Sequence, residues 1–172
     1  MAQRFLALLE GARRQVQALV ASVGAADGGK IVATDPTGRL DMSLMPVGIG
    51  ANTTQAAASE TLGAGKFVNY HSDGGVFSAR LADNSNGRQA DGFVLEEFTA
   101  ASVATIYPLD GTNAALSALT VGSRYWLGTA GGVTATPLDE TDAGNANKIS
   151  QYLGVAKSVT ELVTDDDGFT VL

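Results

Sequence analysis

The sequence predicts a mainly β fold: a small antiparallel β-barrel or sandwich, preceded by an N-terminal α-helix of short, coiled-coil-like character and by an extended arm. Three observations predict it. The first 24 residues place apolar side chains at helical spacing, the chain from about residue 62 alternates apolar and polar side chains with period two, and residues 47–61 between them have neither pattern. We therefore expect a helix at 1–24, an elbow or hairpin with a linker arm at 25–61, and a β-barrel body at 62–172.

The N-terminal helix is predicted from a heptad-like seam whose apolar positions are separated by alternating steps of four and three residues, the a/d spacing of a coiled coil. These positions are Phe5, Leu9, Ala12, Val16, Leu19 and Val23. Leu6, Leu8 and Val20 lie beside the seam and widen the apolar face, which favours a trimer or larger bundle over a dimer. Gly24 and the Gly28-Gly29 pair are expected to end the helix.

An ordinary helix that packs on its own domain is the alternative interpretation, because fewer than three heptads are present. A helix this short is marginal alone in water. Either a neighbouring chain or a second domain therefore has to cover the seam.

Residues 30–46, KIVATDPTGRLDMSLMP, predict a stiff elbow. Two short apolar runs flank a Pro36-Thr37-Gly38 turn, and Pro46, which has no N–H to donate to a ladder, ends the second run. Strand propensity in this elbow makes it a candidate contact surface, through Ile31, Val32, Leu40 and Leu44. The small residues that follow, 47–61, predict an extended linker.

The β body is predicted from short strands separated by turn signals about every ten residues. Asp73-Gly74-Gly75 and Ala130-Gly131-Gly132 are typical of hairpin turns. Regular short strands without intervening helices are typical of a barrel or sandwich. The expected strands are 66–70, 76–82, 92–98, 102–109, 123–129, 132–137, 150–158 and 160–164.

Composition excludes several kinds of chemistry. The chain has 172 residues, no cysteine and one histidine, so disulfides, thiolate catalysis and cysteine-based zinc sites are unavailable. Residues 1 to 30 carry a net charge of +2 and the remainder −9. An acidic body offers no basic stripe for nucleic acid. The chain has no signal-peptide core and no run of about 18 apolar residues, so we expect a soluble protein made in the cytoplasm.

The remaining motifs predict no enzyme, cofactor or metal site. Gly63-Ala64-Gly65-Lys66 lacks the first glycine and the hydroxyl residue of a phosphate-binding loop. His71 is followed by Ser72 and Asp73, but neighbours on a strand point to opposite faces and cannot both orient its ring. Asp165-Asp166-Asp167 is expected to be a solvated acidic turn, with an adventitious surface cation as the alternative.

Tyr125 and Trp126 are the most prominent aromatic pair in the body. We expect them to fill the barrel core or a subunit contact. The alternative is a platform that stacks against carbohydrate.

Five segments carry a resemblance to known proteins. They are GKIVATDPTGRLDMSLMPVGIG, ADGFVLEEF, LTVGSRYWLG, GGVTATP and QYLGVAKSVTELV. In this order, behind a short N-terminal helix, the chain resembles small virion proteins of tailed bacteriophages, above all capsid decoration (cement) proteins and head-fibre proteins.

The resemblance implies a non-enzymatic structural protein on the capsid exterior. Such a protein assembles, typically as a trimer, and bridges neighbouring subunits of the major capsid protein against the pressure of packaged DNA. A trimeric tail-fibre or baseplate component is the competing interpretation within phage structure. A carbohydrate-binding β module that uses Tyr125 and Trp126 is the competitor from another class.

Overall fold

The computed structural model describes residues 4–9, 11–36, 38–45 and 52–172. Backbone contacts divide the chain into two compact units, Met1–Ala51 and Asn52–Leu172. Regular structure in both units consists of β-strands and three short 3₁₀ turns, and the described residues contain no α-helix. No helix among them is long and apolar enough to span a membrane.

The predicted N-terminal helix, and the coiled coil inferred from it, are wrong. Strand β1 (Arg4–Leu9) pairs antiparallel with strand β2 (Ala12–Gln17) in a two-stranded hairpin. The register sets Phe5 opposite Val16, and Leu9 opposite Ala12.

The alternating steps of four and three residues did not distinguish a helix from a hairpin, because a tight hairpin gives the same spacing. Steps of four keep side chains on one face of a strand, whose period is two, and a step of three joins residues that are paired across a two-residue turn. Phe5, Ala12 and Val16 therefore share a face in the hairpin as they would in a helix. Gly11 decides between the two structures: its φ is +80°, which suits a tight turn, and glycine inside a helix costs about 1 kcal/mol relative to alanine.

The rest of the N-terminal unit is held by local hydrogen bonds. Leu19 bonds through its backbone to Ile31 and Ala33, both at 2.8 Å. The 3₁₀ turn Ala25–Asp27 is closed by the Asp27 carboxylate, which accepts from the Lys30 ammonium at 2.5 Å and from the Val23 N–H at 2.7 Å. In the predicted elbow, the backbone N–H of Asp35 donates to the Arg39 carbonyl at 2.8 Å and closes a turn. A 3₁₀ turn, Met42–Leu44, follows.

The first sheet of the second unit is a small, nearly closed barrel. Its five strands are β3 (Thr54–Ala58), β4 (Phe67–Asp73), β5 (Val76–Leu81), β6 (Gly92–Phe93) and β7 (Val103–Ile106), in the order β6-β4-β5-β3-β7. Phe93 and Tyr107, the residue after β7, exchange two backbone hydrogen bonds of 2.9 Å that join the outer strands. All pairs are antiparallel except β3 with β5, which is parallel and departs from the predicted antiparallel barrel.

Small side chains make this narrow barrel possible. Alanines at positions 56, 58, 79 and 104 are buried in its core, where they leave room for Leu62, Val68, Val94 and Ile106. Interiors pack at crystal-like density, so a five-stranded barrel can fill its centre only if several strands contribute a methyl group in place of a larger side chain.

The second sheet lies against the barrel's outer surface. It contains β8 (Thr112–Asn113), β9 (Arg124–Leu127), β10 (Val133–Thr134), β11 (Ile149–Ala156) and β12 (Leu162–Thr164), in the order β10-β9-β11-β12-β8, and β13 (Phe169–Val171) pairs with the start of β11. Phe67 and Phe93 point out of the barrel into a core shared with Tyr125, Leu127 and Leu153. Residues 52–172 are therefore one body with two adjoining cores.

Candidate functional site

The exposed face of the N-terminal hairpin is the first candidate surface. Leu6 and Leu8 are 74% and 71% exposed. Strand alternation places them on the same face as Arg4 and Arg13, opposite the face that carries Phe5 and Val16. The result is an apolar strip with a cationic border. Such a strip is suited to a partner surface that is apolar at its centre and acidic at its edge.

The predicted contact residues are distributed over this unit. Phe5, Val16 and Leu19 are partly buried, Ala12 is exposed, and Leu9 ends β1. Ile31, Val32 and Leu40 are exposed, Val23 is 88% exposed, and Leu44 is partly buried in its 3₁₀ turn. The structure brings together Phe5 with Val16, Leu9 with Ala12, and Leu19 with Val32. It leaves Val23, Leu40 and Leu44 on separate segments.

A shallow pocket on the second sheet is the other candidate site. Its volume is about 440 Å³, and it is lined by Arg124, Trp126, Tyr152, Asp165 and Asp167. Trp126 of β9 and Tyr152 of β11 are cross-strand partners, and their ring centroids are 5.8 Å apart with an angle of 66° between the ring planes. Both rings are partly exposed.

The aromatic pair of the sequence is divided by strand alternation. Tyr125 points into the shared core and accepts a hydrogen bond from the Thr120 N–H at 2.8 Å, whereas Trp126 faces solvent. Trp126 acquires Tyr152 as its neighbour instead. Tyr152 was not predicted as part of the site, because the pairing of two residues that are 26 positions apart depends on the order of the strands in the sheet. The available signal was Gly154, two residues after Tyr152, where the strand forms a bulge.

The sequence candidates for catalysis do not converge. His71 lies opposite Ser78 on β5, and Ser72 lies opposite Phe77, so the histidine and its neighbouring serine face opposite sides of the sheet. The His71 Nδ1 is shielded from solvent and has no hydrogen-bond partner in the described part of the chain. Over the same residues, no group of three or more histidine and carboxylate side chains lies close enough to hold a metal ion.

One end of the barrel carries a third, apolar surface. Tyr70 and Phe77 place their rings 4.9 Å apart there, and Phe77 is about half exposed. Burial raises the pKa of the Tyr70 hydroxyl, against the opposing effect of a hydrogen bond with Thr54. The tyrosine is therefore neutral at physiological pH and serves this surface as a rigid, partly apolar ring.

The chain is similar to a solved structure, the crystal structure of the N base of the head fibre gp8.5 of bacteriophage phi29. The two chains are 15% identical and superpose with a TM-score of 0.42, over 67% of this chain and 95% of that chain. A likeness of this size does not establish a common fold. No protein-family model matches the chain, and no curated protein sequence does.

Proposed function

We propose that this chain is a structural protein of a tailed-phage virion that binds the outer surface of the capsid as an oligomer and stabilises the shell by bridging capsid subunits. The N-terminal unit is the contact segment, and residues 52–172 form a body that stays folded on the outside. The major capsid protein is the partner. The sequence resemblance supports a trimer; the coiled-coil argument for one no longer applies.

This proposal rests on the unequal amounts of apolar core in the two units. Among the described residues of the N-terminal unit, Ala18 is the one buried apolar side chain, whereas residues 52–172 hold two cores. A lone two-stranded hairpin is marginally stable in water. Burial of each exposed leucine contributes about 1.5–3 kcal/mol, so the unit gains most of its order when a partner covers Leu6 and Leu8.

The open edges of the hairpin offer a second mode of contact. In the described part of the chain, β1 and β2 pair only with each other, so each strand has one edge of unpaired backbone groups. A strand of the shell that pairs with such an edge adds backbone hydrogen bonds without requiring a particular side chain.

Multivalency converts such modest contacts into stable attachment. When one oligomer places a hairpin on each of several neighbouring capsid subunits, the first contact raises the effective concentration for the next. Detachment of the oligomer then requires all of its contacts to break. A capsid subunit that leaves the shell has to break its own contact with the oligomer in addition to its contacts with neighbouring subunits, and this added cost is the physical basis of the stabilisation.

The test is binding of the full chain to purified shells that lack it, measured by co-sedimentation. We expect Leu6→Asp with Leu8→Asp to weaken binding about a hundredfold or more, because two buried leucines are replaced by charges. Val121→Asp is the matched control, since Val121 is 62% exposed in the other unit, and it should bind as the wild type does. Equal affinity of all three proteins would contradict the proposal.

Location is tested separately by gold labelling of intact virions. The proposal predicts many labels distributed over the head. A few labels confined to the tail would replace it with the tail-fibre interpretation.

A further inference from the structure

The pocket at Trp126 and Tyr152 has the shape of a corner. The two rings meet at 66° with centroids 5.8 Å apart, so they form two sides of an angle and do not cover each other as a sandwich would. Both belong to strands of the same sheet and are fixed by direct pairing of β9 with β11. A corner of rigid aromatic rings presents apolar ring surface to a ligand with little loss of conformational entropy.

Polar side chains border this corner, and within the described residues they are not engaged in other polar interactions. Arg124 lies two residues before Trp126 on the same face of β9, and Asp165 and Asp167 reach the pocket from the segment between β12 and β13. Within the described residues, none of these three side chains makes a hydrogen bond or an ion pair. The guanidinium and the two carboxylates surround about 440 Å³ without neutralising one another.

We propose that this corner binds the pyranose ring of a neutral hexose. The C–H face of such a ring is apolar and packs on an aromatic side chain, while its adjacent hydroxyls donate to carboxylates and accept from a guanidinium. The volume lies within the range of small-molecule sites. Aromatic surface combined with both acceptors and donors at its border is the composition this ligand requires.

Charge selects the class of sugar. The pocket holds one positive and two negative side chains, and the whole chain carries a net charge of −7. This field disfavours uronic and sialic acids relative to neutral hexoses. The site is independent of the capsid proposal, because it uses none of residues 4–45.

The experiment uses the single tryptophan of the chain. In the ¹⁵N-labelled full-length protein, Trp126 gives one indole N–H signal, which reports on the pocket directly. Titration with methyl β-glucopyranoside, methyl β-galactopyranoside and N-acetylglucosamine should move this signal for at least one sugar, with a Kd on the order of millimolar, as expected for a small ligand in an open site. Glucuronate should bind more weakly than the best neutral sugar.

Variants separate the site from general surface effects. Asp165→Asn and Asp167→Asn should each weaken binding by about tenfold, because each removes a charge-assisted hydrogen bond. Asp166→Asn is the matched control: it makes the same charge change in the same segment, its side chain does not line the pocket, and it should bind normally. Trp126→Ala should abolish saturation transfer to the sugar protons.

Four results would overturn the proposal. The first is an indole signal that no neutral sugar moves, and the second is glucuronate binding more tightly than every neutral sugar. The third is a loss of binding with Asp166→Asn equal to that with Asp165→Asn. The fourth is an indole signal that shifts with protein concentration but not with sugar. The last result would assign the corner to a second copy of this chain.

Discussion

Individual residues join the barrel to the second sheet. The buried Asn84 donates from its side chain to the Leu127 carbonyl at 2.8 Å, and its backbone bonds to Gly128 and Ile149. Beside it, the Asp83 carboxylate accepts from the hydroxyl and N–H of Ser85 at 2.6 and 2.9 Å and from the Ala130 N–H at 3.0 Å. These bonds connect the loop after β5 to the β9–β10 hairpin, so the two cores are expected to unfold together.

Asp83 should make stability depend on pH. Partial burial disfavours its charged form, but the hydrogen bonds from Ser85 and Ala130 outweigh that effect and hold the pKa of the carboxyl below its ordinary value. A group whose pKa is lower in the folded protein stabilises it above the unfolded pKa of about 3.9, and this contribution is lost as pH falls through the folded pKa. The difference in unfolding free energy between wild type and Asp83→Asn, measured by urea titration, should be largest at pH 7 and shrink below about pH 4. Ser85→Ala should give a smaller difference of the same sign, and a difference that stays constant down to pH 3 would refute this role.

Gly154 is the position where a single methyl group should cost most. Its φ is +144°, and a Cβ there would overlap the Val163 carbonyl of the neighbouring strand β12. Gly154→Ala should destabilise the protein by about 3 kcal/mol, from backbone displacement and strain together. Gly122→Ala is the control, because Gly122 has a φ of +77° with no atom near the added Cβ, and it should cost about 1 kcal/mol. Equal losses in denaturant unfolding would show that strand contact at Gly154 is unimportant.

Among the elements, the N-terminal hairpin is where structure and sequence pattern diverge most. Its two strands give the same spacing as a coiled-coil seam, so apolar periodicity alone cannot separate them. The hairpin predicts NOE contacts between the side chains of Phe5 and Val16 and between those of Leu8 and Arg13 in the full-length protein, because these are cross-strand partners. Contacts at helical spacing, such as Phe5 to Leu9, in their place would contradict the hairpin.

The barrel shows what the sequence pattern could and could not predict. β4 and β5 were predictable, since alternating residues flank Asp73-Gly74-Gly75, and the structure pairs Asp73 with Val76 around that turn. β3 lies in the stretch predicted as a linker, because Thr54–Ala58 is mostly alanine and alanine has low strand propensity. Those alanines belong to the strand for a tertiary reason, the narrow barrel interior, which local pattern does not contain.

At the scale of the whole molecule, the two units differ both in the amount of apolar core and in the sign of the charges that they carry. Residues 52–172 contain both apolar cores and most of the acidic side chains, whereas the N-terminal unit combines a small core with a cationic border around Leu6 and Leu8. The pocket at Trp126 was only half predictable: the sequence identified the tryptophan, but sheet order supplied Tyr152 and brought Asp165 and Asp167 to it. We therefore propose attachment for the N-terminal unit and ligand binding for residues 52–172.

Hydrogen–deuterium exchange of the full chain, free and bound to purified shells, tests the central claim most directly. A unit with little core opens easily and exchanges fast, whereas a segment that gains its core from a partner becomes protected on binding. We expect fast exchange over residues 4–45 in the free protein, strong protection of the same residues on the shell, and unchanged protection of the barrel strands. Protection gained only within residues 52–172, with 4–45 unchanged, would contradict it.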